Sequence, residues 1–327
     1  MSRKNFKVLF TDTSVDPAGI DLLRPVAELS FLESYASTEA LVAAIGEADA
    51  IFCRSGIIDE PVIAAAPNLK IVSRHGVGYD NVDIAACTRR GIVVTIGGEA
   101  NSQSVSEHAF GLILATARDL LRANADMDAG RWERTTLVGT ELHRKVLGIV
   151  GLGRVSSRLA RHATGFDMEV LACDPYLDAN TAAERGAQLV DLTTLLRRSD
   201  FVSLHLPLSQ ETRNLIGTAE IALMKQSAIL VNTARGGIID EEALHNALKD
   251  NRIAGAALDV FAEEPLPPDH PLTGLDNLCH SPHIAGQTAE SLVRMSLQAA
   301  QNILTVFRGE ALAPDFVVNP EALAYTR

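Results

Sequence analysis

Arg235, Glu264 and His283 are three side chains whose types and places suit a single reaction. Arg235 lies in Asn232-Thr-Ala-Arg-Gly-Gly237, behind the strand-like run 229–232. Glu264 follows the run 254–258 in Asp259-Val-Phe-Ala-Glu-Glu-Pro265, and His283 lies in Ser281-Pro-His-Ile-Ala-Gly286 behind a third strand-like piece. Open α/β sheets bind ligands at the carboxyl ends of their strands, so all three positions fit a site. Oxidising a hydroxyl to a carbonyl needs a base for the O–H proton while hydride leaves the same carbon, and histidine does this near neutral pH. A carboxylate beside the ring orients it and stabilises the imidazolium. An arginine holds a substrate carboxylate bidentately and polarises the carbonyl. The set fits a 2-hydroxy acid oxidised by a nicotinamide cofactor. Taken singly, each residue also has a plain reading: a structural or exposed loop histidine, a solvated loop acid, a surface charge. Spacing alone does not bring the three together.

A second constellation points to the cofactor. Gly151-Leu-Gly153-Arg-Val-Ser156 comes directly after the apolar run 146–150 and opens a helical pattern. Gly151 permits the tight turn, and Gly153 lets backbone N–H groups approach a pyrophosphate at a helix N-terminus. Ser156 stands where a third glycine is usual, a small residue at a position that serves helix–strand packing. Asp174 ends the next strand-like run, 169–173, at the distance where an acid accepts from the ribose hydroxyls and repels a 2′-phosphate. This selects NAD over NADP. The competing reading of Asp174-Pro175 is a simple turn.

Both constellations need a scaffold of alternating strands and helices. Apolar runs at 7–10, 29–32, 50–53, 69–72 and 92–96 alternate with helix formers such as 38–45 and 82–89. A long helical run covers 101–123. A second series has strands at 146–150, 169–173, 201–206, 229–232 and 254–258, with helices at 155–163, 193–198 and 241–249. A helix over 290–307 precedes a strand-like 316–318. Such alternation predicts an α/β protein with two doubly wound parallel-sheet domains. With 327 residues, 47% hydrophobic and 21% charged, the chain has room for both cores. A net charge of −12 gives no footprint for nucleic acid or an anionic membrane. Cys53, Cys87, Cys173 and Cys279 are scattered, so neither disulfides nor a metal site is expected, and each is expected in or beside a strand. No apolar run spans a membrane or reads as a signal peptide, so the expected setting is the cytoplasm.

Ordered motifs then carry a resemblance along nearly the whole chain. They are Ser73-Arg-His-Gly-Val-Gly-Tyr-Asp-Asn-Val-Asp83, Asn101-Ser-Gln-Ser-Val-Ser-Glu-His-Ala109, Gly130-Arg-Trp132, Leu147-Gly-Ile-Val-Gly-Leu-Gly153, His205-Leu-Pro-Leu-Ser209, Val231-Asn-Thr-Ala-Arg-Gly-Gly-Ile-Ile-Asp240, Leu258-Asp-Val-Phe261 and Ser281-Pro-His283. The chain resembles the D-isomer-specific 2-hydroxyacid dehydrogenases, nearest their phosphoglycerate dehydrogenase-like branch. The resemblance implies that Arg235, Glu264 and His283 are the catalytic trio and that the backbone of Gly76, Val77 and Gly78 contacts substrate. It implies that Val105 lies by the nicotinamide, that Asp259 binds its carboxamide, and that Thr233 and Ala234 hold its side of the site. Arg154 and Val155 would approach the pyrophosphate, Asp174 the ribose, and His205 and Pro207 would line the cofactor. It also implies a Rossmann cofactor domain, 101–285, inserted into a flavodoxin-like substrate domain, 1–100 plus 286–327, with the site in the cleft, and a homodimer with the segment around Trp132 at its interface.

Departures bear on the substrate. Arg144 and Ser156 replace usual glycines. The chain ends at residue 327, without the regulatory domains of longer phosphoglycerate dehydrogenases, so their type of feedback is not expected. Gly56-Ile57-Ile58 lacks the Thr-Lys pair that often helps bind phosphate, while Arg54, Arg74 and Arg134 match basic positions tied to that substrate. A small anionic D-2-hydroxy acid is expected, with 3-phosphoglycerate the first candidate and hydroxypyruvate, glyoxylate or a sulfonated three-carbon acid the alternatives. The fold also serves dinucleotide-sensing transcriptional corepressors, so that class stays open as well.

Overall fold

Short apolar runs without polar alternation form strands covered on both faces. The computed structural model describes residues 6–325, and the chain divides into two units, Met1–Asn101 with Gln287–Arg327, and Ser102–Gly286. In the first unit, β1 (Phe6–Phe10), β2 (Ala27–Phe31), β3 (Ala50–Cys53), β4 (Ile71–Arg74) and β5 (Val93–Thr95) form one parallel sheet in the order β2-β1-β3-β4-β5. In the second, β6 (Val146–Val150), β7 (Glu169–Cys173), β8 (Gln188–Leu189), β9 (Phe201–Leu204), β10 (Ile229–Asn232), β11 (Gly255–Leu258) and β12 (Leu278–His280) are parallel in the order β12-β11-β10-β9-β6-β7-β8. Both orders reverse once, in flavodoxin-like and Rossmann fashion respectively, and the reversal leaves a crevice at the strands' carboxyl ends.

The period-2 geometry of strands sorts their side chains between two cores. In β10, Ile229 and Val231 pack with Ala109 and Ile113, while Leu230 packs with Leu244 and Leu248 on the other face. In the first unit, Leu9 and Ile51 face one cluster; Phe10 and Phe52 stack at 4.5 Å in the other. That second cluster is closed by Ala299, Ala300, Ile303 and Leu304 of the long helix Ala289–Phe307.

Three local expectations are corrected. The helical run 101–123 is two helices, Ser102–Ala117 and Leu120–Asp128. The break falls at Asp119, at φ +50°, a region that Asp tolerates better than most residues. The Thr140 N–H takes the Ala117 carbonyl at 2.7 Å, removing an acceptor the helix would have used to continue. Around 316–318 there is a 3₁₀ turn, Pro314–Phe316, and a single antiparallel bridge from Val317 to Thr95 rather than a strand. Cys87 lies in the helix Ile84–Arg89, where burial pushes its thiol up to about 12; the four cysteines are free. Among the described residues no helix is long and apolar enough to cross a membrane.

His75, 6% exposed beside the Phe52 ring, has no hydrogen-bond partner at Nε2. Burial, and then the charges of Arg54 and Arg74, push it down to about 4 from the ordinary 6.5. The unfolded chain binds this proton as pH falls through 6.5, and the folded chain only near 4. Stability is thus complete above the upper value and declines across the window, by roughly 3 kcal/mol for this one group. Urea titrations at stepped pH are expected to show that decline, flattened in His75→Leu; an unchanged slope in the variant would disprove it.

Candidate active site

In the second unit the glycine turn sits at the sheet's reversal point. Gly151 has φ +87°, and a Cβ there would stand 2.6 Å from the His205 carbonyl oxygen. Only glycine lets the loops after β6 and β9 approach so closely. The eleven-residue helix Arg154–Thr164 begins at Gly153, which makes no side-chain cap bond and has open space where a Cβ would be. A helix N-terminus that opens at such a glycine suits an anion. Ser156, fully buried, donates its hydroxyl to the Gly151 carbonyl at 2.7 Å and so ties the turn from within.

Asp174 follows β7, and both readings of it have a counterpart in the structure. Its Oδ1 accepts from the Tyr176 N–H at 3.0 Å, a local turn, and its Oδ2 from the Leu152 N–H at 2.9 Å, inside the glycine loop. Each oxygen keeps a further lone pair for a ribose hydroxyl. His205 is pushed down to about 4 by burial and is neutral, its Nε2 2.8 Å from the Ser203 hydroxyl. The carbonyl of Pro207 accepts from the Thr212 hydroxyl at 2.7 Å, fixing the loop beyond it. Val105 is half-buried on helix Ser102–Ala117. Thr233 is 7% exposed, and its hydroxyl is buried without a partner. Open space at Gly153, an acid held against the glycine loop and an orphaned hydroxyl after β10 fit a dinucleotide.

The trio comes from three successive loops of the same unit. His283 Nδ1 lies 2.7 Å from Glu264 Oε2, and Glu264 Oε1 accepts from the Phe261 N–H at 3.0 Å. Burial pushes the Glu264 carboxyl up, but the His283 hydrogen bond and charge, the Phe261 N–H and the Arg235 charge outweigh it and hold it below the usual value. Arg235 is half-buried, with Nη1 donating to the Ala234 carbonyl at 2.6 Å. Its loop is shaped by Asn232, which donates to the Arg235 carbonyl at 2.8 Å and accepts from the Ala234 N–H at 3.0 Å. A Cβ on Gly236 would stand 1.8 Å from the Phe261 carbonyl, so the Arg235 and Glu264 loops meet backbone to backbone.

Two residues make structural contacts that the resemblance does not imply. Asp259 is fully buried, and its carboxylate accepts from the Ser281 hydroxyl at 2.6 Å and from the N–H groups of Ile284 and Ala285 at 2.9 and 2.8 Å. It anchors the loop that carries His283. Arg74, in the first unit, donates from Nε to the Gly78 carbonyl at 2.6 Å and from Nη1 to the carbonyls of Cys53 and Arg54 at 3.2 and 2.8 Å. It braces the Gly76–Gly78 loop, leaving Nη2 as its remaining donor group. Gly76, at φ +138°, accepts from the Gly97 N–H at 2.6 Å. Arg54 binds the Ser14 carbonyl and reaches Gln287 Oε1 at 3.3 Å, with Asp12 at 3.9 Å. Arg134 is exposed on an irregular stretch of the second unit. Asn232, Ser281 and His108, which touches Ser281, lie within the ordered motifs, but their types and spacing alone assign them no role.

Comparison with known proteins agrees with this geometry. Residues 110–285 match the family described as D-isomer specific 2-hydroxyacid dehydrogenase, NAD binding domain. A D-3-phosphoglycerate dehydrogenase of Methanocaldococcus jannaschii is 43% identical over 96% of this chain and 60% of its own length. A glyoxylate reductase of Thermofilum pendens is 42% identical over 97% of this chain and 95% of its own. The chain spans only 54–60% of the length of the phosphoglycerate dehydrogenases that head the matches. A D-lactate dehydrogenase of Aquifex aeolicus, solved with NAD and lactic acid, superposes with a TM-score of 0.83 at 29% identity, covering 93% of this chain and 96% of that one. The chain belongs to the D-isomer-specific 2-hydroxyacid dehydrogenase family, and its second unit carries that family's NAD-binding domain.

Proposed function

We propose that the protein is an NAD-dependent oxidoreductase that interconverts a small anionic D-2-hydroxy acid and its 2-oxo acid. The observation that carries this is the 2.7 Å pair of His283 and Glu264, with the Arg235 charge felt by the same carboxylate. When bound, the cofactor supplies the site that takes or gives hydride. In oxidation His283 Nε2 accepts the hydroxyl proton, and in reduction it returns it. Glu264 holds the ring by Nδ1, so that Nε2 is the nitrogen facing the reaction, and its charge stabilises the imidazolium. Arg235 binds the substrate carboxylate and polarises the reacting carbonyl.

3-Phosphoglycerate is the first candidate substrate, because Arg54, Arg74 and Arg134 match basic positions tied to that substrate. Glyoxylate, hydroxypyruvate and a sulfonated acid are the alternatives; relatives named D-3-phosphoglycerate dehydrogenase and glyoxylate reductase match about equally well. Exposed Leu120, Leu121, Met127, Trp132 and Val138 lie along one stretch and support a homodimer through it. Four free cysteines suit a reducing, cytoplasmic setting.

Turnover with NADH and a panel of 2-oxo acids tests the reaction; no turnover on any of them would sink it. His283→Ala is expected to depress kcat by at least ~100-fold with NADH affinity nearly intact. Glu264→Gln is expected to retain some activity while the pH above which reduction fails moves downward. Upward movement of that limb would disprove the pairing. Asp174→Ser is expected to weaken NADH use and narrow the gap to NADPH, because a carboxylate repels a 2′-phosphate; a native enzyme that prefers NADPH would contradict this. Arg54→Ala is expected to raise KM for a phosphorylated acid about 10- to 100-fold, the worth of a charge-assisted contact, and far less for glyoxylate. Equal losses on the two substrates would assign Arg54 a structural role.

A further inference from the structure

His283 occupies the left-handed backbone region, at φ +52°. A residue other than glycine stays there only when its surroundings over-determine it. The surroundings converge on one carboxylate and one serine. The His283 N–H donates to the Asp259 carbonyl at 2.8 Å, and the Ser281 N–H to the Leu258 carbonyl at 2.9 Å. The Asp259 carboxylate takes the Ser281 hydroxyl and the next two N–H groups after His283.

His108 reaches this anchor from helix Ser102–Ala117, far away in sequence. Its Nε2 lies 3.0 Å from Ser281 Oγ and 3.5 Å from Asp259 Oδ1. Ser281 has a single hydroxyl proton, and at 2.6 Å it goes to Asp259, which has none to give. The serine oxygen therefore accepts, and His108 Nε2 carries the proton. Burial pushes Asp259 up, yet the bonds from His108, Ser281, Ile284 and Ala285 together hold it below the usual value, so the anchor is an anion. The His108 donor stands beside that carboxylate, 3.5 Å from Asp259 Oδ1.

We propose that His108 is a positioning residue, whose Nε2–H holds Ser281 against Asp259 and thereby fixes the loop that aims His283. The proposal rests on the reading of His283 as proton carrier. It places His108 outside the reacting atoms and makes its effect one on orientation.

The test compares the full chain with His108→Ala and His108→Gln. In His108→Ala, kcat for 2-oxo acid reduction is expected to fall about 10- to 100-fold, as a small misplacement of a reacting group allows. The KM for NADH is expected to stay within about twofold, since no cofactor contact is removed. Hydrogen exchange at the Ile284 and Ala285 amides is expected to quicken about tenfold, with helix Glu241–Lys249 unchanged as the check on global stability. Glutamine can donate to Ser281, so His108→Gln is expected to recover most of both losses. Unchanged kcat and exchange in His108→Ala would overturn the proposal, as would a glutamine variant as impaired as the alanine one. A native protein without turnover, whose loop exchange still quickens in His108→Ala, would retire the hydride-transfer reading and still support the anchor.

Discussion

The chemistry of the second unit depends on its strands all running the same way. Gly151, Asp174, His205, Thr233, Asp259 and Ser281 each stand one residue past the end of β6, β7, β9, β10, β11 and β12 respectively. A parallel sheet with matched strand ends therefore delivers the turn, the acid, the loop walls and the His283 loop to one edge. None of these residues needs a long loop to reach its place. Reversing a single strand would send its loop to the opposite edge.

Rigidity beyond the sheet comes from contacts with no slack. The Arg235 and Glu264 loops touch through backbone at Gly236, and Asn232 bridges the turn that carries Arg235. Asp259 then ties the His283 loop to the end of β11. A buried carboxylate is costly unless its oxygens are satisfied, so this anchor is strong because its failure would leave a bare charge in the core. The Glu264–His283 pair thus rests on loops that are themselves interlocked.

The sequence displayed much of this and hid a specific remainder. The strands were legible because buried parallel strands are written as unbroken apolar runs, as in Ala50–Cys53 and Ile229–Asn232. The glycine turn and the trio were legible because each lies beside a strand end. The break at Asp119 was not, because the Ala117 carbonyl is claimed by Thr140, on a segment that no helical period encodes. Asp259 and Arg74 stood in recognisable motifs, yet their bonds to Ser281, Ile284 and Ala285 and to the carbonyls of Cys53 and Arg54 join segments that no single motif spans. His108 meets Ser281 across 173 residues, and only the folded chain joins them. Motifs announce a residue's importance more readily than they announce what it touches.

The zero clearance at Gly236 has a consequence for how substrate preference can drift within such a chain. A loop locked to its neighbour through backbone admits almost no single replacement, so the Arg235 and Glu264 loops are fixed as a block. The first unit has looser ground: Ile57, 59% exposed, stands in the short stretch where a phosphate-binding pair is absent. Novelty in substrate can accumulate there while the rest of the chain keeps its letters. Overall identity then becomes a poor guide to specificity, and a phosphoglycerate dehydrogenase at 43% and a glyoxylate reductase at 42% stand equally near.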